Sequence, residues 1–169
     1  MRAVAEVTSE LRIAIADLNA DYAACLDERR FDDWPDFFTD DCVYKLQPRE
    51  NFDRGLPLAT MALESKGMLR DRVYAATETL FHIPYATRHV IGWPRVCIAE
   101  DTADDGRVVA AEANYIVIRV RENEMPEVFS AGRYIDRIVR DAATERLRFR
   151  QRLCIFDSAL IANSIIYPI

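Results

Sequence analysis

The stretch Arg146–Asp157 reads RLRFRQRLCIFD. Basic and apolar residues alternate along it. Arg146, Arg148, Arg150 and Arg152 fall on one side, and Leu147, Phe149, Leu153 and Ile155 on the other, with Gln151 the exception. Successive side chains of a strand face opposite ways, so the pattern predicts a strand with one buried and one polar face. Three more extended runs precede it: His89–Glu100, Arg107–Arg121 and Glu127–Arg140. Short turn-like segments separate them, which predicts an antiparallel meander covered on one face.

The first half of the chain can supply the cover. Leu11, Ile15, Leu18, Tyr22 and Leu26 recur at helical spacing and predict a helix from about Thr8 to Arg30. Thr8 or Ser9 can cap it. Asp32 or Asp33 can cap a short second helix, with Pro35 in its tolerated first turn and Trp34, Phe37 and Phe38 as its apolar face. CVYKL (42–46) predicts a short strand and 47–54 a polar loop. A helix is expected from about Pro57 to Lys66, stopped by Gly67. MLRDRVYAATETL (68–80) adds another helical piece. Helices first and strands afterwards predict an α+β domain spanning residues 1–169, with no internal repeat or linker.

The chain has 169 residues, 50% hydrophobic and 30% charged, enough for one real core. No apolar run is long enough to cross a bilayer, and MRAVAEVTSELR carries no signal-peptide pattern. Cys25, Cys42, Cys97 and Cys154 are scattered among apolar or amphipathic neighbours and are expected to be reduced, buried thiols of a cytoplasmic protein. A net charge of −6 argues against nucleic acid as a partner, the arginine run being a local exception.

The familiar nucleotide, acyl-transfer and zinc-protease motifs are missing, and there is no CxxC pair. The two histidines, His82 and His89, stand seven apart with Pro84 between them, which places them on no common helix face. An iron site of two histidines and a carboxylate would need both, so a hydrogen-bonded structural role is the better reading of each. Acid–base chemistry in a pocket is the alternative, with a histidine, an aspartate and tyrosines such as Tyr22, Tyr44 and Tyr85 around a small substrate. Tyrosines of this kind are more often core rings whose hydroxyls reach a rim. The arginine stripe is expected to be solvated, or to meet acids of a neighbouring strand or subunit; Asp136, Glu112 and Glu127 are available.

The order of elements resembles the cystatin-like, NTF2-like cone: N-terminal helices on a strongly curved, mainly antiparallel sheet. WPDFFTDDCVYKL (34–46), GLPLATMALESKGMLRDRV (55–73), YATRHVIGWPRV (85–96), VFSAGRYIDRI (128–138) and RLRFRQRLCIFDS (146–158) resemble the small, or beta, subunit of Rieske aromatic-ring-hydroxylating oxygenases acting on aromatic carboxylates. Terephthalate, salicylate and anthranilate enzymes are the nearest in feel. Gly92-Trp93-Pro94 departs from the polar turn many of these subunits carry. The resemblance implies a structural, non-catalytic subunit that trimerises and supports three catalytic alpha subunits in an α3β3 assembly. It implies no catalytic, cofactor-binding or metal-binding residue in this chain. The Rieske [2Fe-2S] cluster and mononuclear Fe(II) would belong to the alpha subunit, and NAD(P)H would act through a reductase. The runner-up is a free-standing SnoaL-like dehydratase, isomerase or cyclase using a histidine with Asp or Tyr. The apolar tail ALIANSIIYPI (159–169) is expected either to pack into its own subunit or to finish an interface.

Overall fold

A computed structural model describes residues 7–98, 108–141, 143–158, 160 and 164–169, with Cys97 and Ile98 described by backbone alone. Helix α1 (Ser9–Asp27) opens the fold, and the Thr8 hydroxyl caps it by accepting from Leu11 N. Its buried stripe is Ile15, Asn19, Tyr22, Cys25 and Leu26. A 3-10 turn at Trp34–Phe37 leads into strand β1 (Phe38–Pro48). A short helix α2 (Arg49–Asp53) and a three-residue strand β2 (Met61–Leu63) follow, then helix α3 (Lys66–Tyr74), continued by a π turn at Ala75–Thr79. The remaining strands are β3 (Ala86–Ile91), β4 (Arg95–Ile98), β5 (Val109–Val120), β6 (Glu127–Arg140) and β7 (Leu147–Phe156).

The strands form one seven-stranded sheet in the order β2-β1-β7-β6-β5-β3, with β4 also on β5. Strands β5, β6 and β7 make the expected antiparallel meander, and the mixed element is β1, which runs parallel to β7. Register shifts interrupt the β1–β7, β5–β6 and β6–β7 pairings. Such bulges bend the strands that carry them and curve the sheet around the helices. The approach of β6 to β7 requires Gly132, because a Cβ there would lie 2.0 Å from the Ile155 carbonyl oxygen. The core is unusually aromatic, with Trp34, Tyr22, Tyr44, Tyr115, Tyr134, Phe38 and Phe149 all fully buried.

Three local expectations are corrected. Residues 57–66 form no helix: Met61–Leu63 pairs with β1, and the Ser65 hydroxyl caps α3 by accepting from Met68 N, so Gly67 sits in a first turn instead of at a stop. Residues 47–54 are no loop, because β1 runs on to Pro48 and α2 follows. The run expected over His89–Glu100 divides into β3 and β4 around Gly92-Trp93-Pro94. Glu100 and Arg107, ends of two expected strands, lie outside the described residues.

The arginine stripe is the main correction. In β7, Gln151 faces Arg137 and Phe149 faces Ile138, so the register shifts in a bulge at Arg150. This bulge swaps the two faces of the strand. Before it, Phe149 points into the core; after it, Arg152 and Cys154 do, both with no exposed surface. Arg148 and Arg150 stay partly exposed and pair with Asp141 at 3.4 Å and Asp41 at 3.3 Å, acids of the same chain. Glu112 and Glu127 serve Arg95 and Arg119 instead. No neighbouring subunit is needed to balance the stripe.

Candidate functional site

Two buried polar centres lie inside the helix-covered face of the sheet. The first is built on Arg152. Its Nε donates to Asp136 Oδ1 at 3.0 Å and one terminal nitrogen to Asp136 Oδ2 at 2.8 Å, a two-pronged pairing of guanidinium and carboxylate. The same nitrogen donates to Asn19 Oδ1 of α1. Its guanidinium carbon lies 3.8, 4.1 and 4.3 Å from the ring centres of Phe149, Tyr134 and Tyr22. Burial alone would weaken the Arg152 charge, but the Asp136 carboxylate outweighs it and raises the pKa. Burial raises Asp136 in turn, against the pull of Arg152. We regard the pair as ionised, because both prongs require a carboxylate facing a guanidinium.

Beside this cluster the interior is filled by the chain's own tail. Ile165, Tyr167 and Ile169 are buried although the segment belongs to no helix or strand. Side chains hold its backbone in place. Arg72 donates to the carbonyls of Ile165 and Ile166 at 2.8 and 2.7 Å. The Tyr44 hydroxyl accepts from Ile169 N at 3.0 Å. The Ile169 carbonyl accepts from Tyr22 at 2.8 Å, from Tyr44 at 3.2 Å and from the Cys154 thiol at 3.5 Å. The tail therefore packs into its own subunit, as one of the two expectations held. Ile161 lies outside the described residues. Burial lifts the Tyr22 and Tyr44 hydroxyls above their ordinary value and pushes the Cys154 thiol up to about 12, so none of the three is poised as a base or nucleophile.

His89 faces Asp27 at the seam between α1 and β3. Its Nδ1 donates to Asp27 Oδ1 at 2.6 Å, its backbone N–H to Oδ2 at 2.9 Å, and the Thr87 hydroxyl also donates to Oδ1. Burial by itself would raise the Asp27 carboxyl, but these bonds hold it below its usual value. The pair resembles an acid–base dyad, and a cleft of about 450 Å³ between α1 and β3 touches His89. Yet the other ring nitrogen, Nε2, is enclosed without a partner, and the His89 side chain has no exposed surface. A substrate in the cleft cannot reach that nitrogen as it stands. The geometry suits a strut tying the end of α1 to β3.

His82 is a separate feature. Its Nδ1 donates to the Leu80 carbonyl at 3.1 Å, which leaves Nε2 to accept from the Tyr167 hydroxyl at 2.7 Å. Both histidines thus have the hydrogen-bonded roles expected of them. Tyr22, Tyr44 and Tyr85 all meet the tail, Tyr85 by accepting from Tyr167 N. Cys25, Cys42 and Cys154 are free and buried. Among the described residues no group of three or more His, Cys, Asp or Glu side chains could hold a metal ion, and no helix is long and apolar enough to span a membrane.

The family model for the SnoaL-like domain matches residues 7–152. The chain is 32% identical to the anthranilate 1,2-dioxygenase small subunit of Burkholderia cepacia, over 88% of each chain. It is 30% identical to a beta subunit of the terminal oxygenase component of terephthalate 1,2-dioxygenase from a Comamonas species, over 93% of this chain and 97% of that one. A solved beta subunit of a candidate aromatic-ring-hydroxylating dioxygenase from Novosphingobium aromaticivorans superposes with a TM-score of 0.80 at 39% identity, over 96% of this chain and 98% of that one.

Proposed function

The chain belongs to the SnoaL-like domain family and, within it, to the small or beta subunits of aromatic-ring-hydroxylating dioxygenases, and from that premise we propose that it is a structural, non-catalytic subunit of such an oxygenase. In this reading it supports catalytic alpha subunits in an α3β3 complex. Those subunits carry the Rieske cluster and the mononuclear iron, take electrons from NAD(P)H through a reductase and hydroxylate an aromatic carboxylate in the cytoplasm. The observation that supports the non-catalytic part is the filled interior: the tail takes up the hydroxyls of Tyr22, Tyr44 and Tyr85, the tyrosines a substrate pocket would use. The relatives' names supply the kind of partner.

Co-expression with the large subunit of such an oxygenase tests the proposal. The two chains are expected to co-purify at equal stoichiometry with a mass near that of a hexamer by light scattering. A lone chain that stays monomeric with the large subunit present overturns it. Elemental analysis of the chain alone is expected to find no stoichiometric iron or zinc. One tightly held iron per chain, lost when both histidines are replaced, contradicts the structural role.

One observation favours a second reading, the SnoaL-like dehydratase, isomerase or cyclase: the His89–Asp27 pair beside a cleft. Its test is His89→Gln in the assembled oxygenase. A strut predicts lower thermal stability with unchanged turnover per folded complex. Loss of an activity that the chain shows without the large subunit favours the enzyme.

A further inference from the structure

The Tyr167 ring lies in a slot made for it by other parts of the chain. Phe31 stacks on one side, with ring centres 4.7 Å apart and planes 25° from parallel. Tyr85 closes another side at 4.7 Å, and the His82 ring meets it edge-on at 5.2 Å. At the polar end, the Tyr167 oxygen accepts from the Arg29 guanidinium at 2.8 Å and donates its proton to His82 Nε2 at 2.7 Å. Arg29 reaches it from a backbone φ of 61°, a left-handed conformation that costs a non-glycine residue about 1 kcal/mol or more. The slot thus recognises both halves of a phenol: a flat apolar ring, and a hydroxyl that meets one donor and one acceptor.

The occupant is not part of the sheet or of a helix. It arrives on a tail whose backbone is held by side-chain hydrogen bonds from Arg72 and Tyr44. A surface cleft of about 390 Å³ touches His82 and Tyr85, two walls of the slot, and Ser164 and Ile166 of the tail.

We propose that the slot formed by Phe31, Tyr85, His82 and Arg29 is a binding site for small phenolic compounds, occupied in this structure by the chain's own Tyr167. The site stands on its own geometry and does not depend on assembly with a large subunit. A tethered competitor has an effective concentration of order millimolar, so a free phenol displaces Tyr167 only when it is abundant. That makes the tail a low-affinity sensor of phenolic load.

The test uses the full chain carrying Tyr167→Ala, with 4-methylphenol and toluene as probes. Calorimetry is expected to show saturable binding of one 4-methylphenol per chain and a raised melting temperature. Toluene fills the ring space but lacks the hydroxyl, so it is expected to bind at least about tenfold more weakly, the loss of a hydrogen bond to a charged donor. Adding Arg29→Ala should reduce that preference, leaving only the bond to His82. If Tyr167→Ala does not fold alone, 4-methylphenol should restore its circular dichroism where toluene does not, since a ligand that binds only the native state stabilises it. Equal binding of the two probes, no binding to the folded variant, or no restoration of an unfolded one overturns the proposal.

Discussion

The two halves of β7 carry similar sequence and meet opposite fates. In RLRFR the arginines stay at the surface, and two of them answer acids of the same chain. In QRLCIF the arginine enters the core and three rings surround it. A register shift at Arg150 separates the halves. The lesson is that composition does not decide burial here; the phase of the pleat does, and a bulge resets the phase. A guanidinium tolerates the inside only because Asp136 and Asn19 are aligned to receive it.

Replacing Asp136 by Ala attacks the inner half directly. It leaves a buried cation without its carboxylate, and chemical denaturation is expected to show a loss of about 3–5 kcal/mol. Gly132→Ala tests the seam that keeps the halves in phase. Its Cβ would overlap the Ile155 carbonyl, so β6 and β7 must separate locally. A loss of about 1–3 kcal/mol or more is expected, with faster hydrogen exchange at the β6–β7 amides than elsewhere.

Asp27 lies between the extremes: its buried side chain is bonded to a histidine, a threonine and the backbone, and the exposed Arg88 guanidinium stands only at 3.9 Å. Asp27→Asn is expected to lose about 1–3 kcal/mol near neutral pH. Its effect must depend on pH. The folded carboxyl titrates below its usual value, so its contribution is fully present above the unfolded value near about 3.9 and is lost as pH falls through the lower folded one. The stability gap between wild type and variant should narrow below about pH 4 in acid titrations followed by circular dichroism. Arg150→Ala probes the outer half and should change stability by no more than about 1 kcal/mol, because its ion pair with Asp41 is solvent-screened. A large loss there would erase the distinction between the halves.

Much of the fold was legible in the sequence because periodicity is a local signal. The helix over Ser9–Asp27 and the strand over Glu127–Arg140 follow from spacing alone. Met61–Leu63 was not legible, since three residues carry too little pattern and become a strand only by pairing with β1. The bulge at Arg150 left only a faint mark, the break in alternation at Gln151, because arginine and glutamine there suit either face. Asp136 was legible as an acid available to the stripe, but its partnership with Arg152 inside the core was not, since the two stand 16 residues apart and meet through register. Tyr22, Tyr44 and Tyr85 stood out as rings of the core or, as the alternative, of a pocket. That the tail would pack back on its own chain was only one of two expectations, as an apolar tail suits a core and an interface equally.

Gly92-Trp93-Pro94 interrupts the strand edge that β3 and β4 present beyond β5. At the opposite edge β2 has only three residues. On β3, the His89 N–H is already taken by the Asp27 carboxylate. Neither described edge therefore offers a long, straight row of free amides on which another chain could template a strand. At the high concentrations of a crowded cell, the molecule is guarded against growth into fibrils, and copies that associate must do so through the faces of the sheet or through its loops.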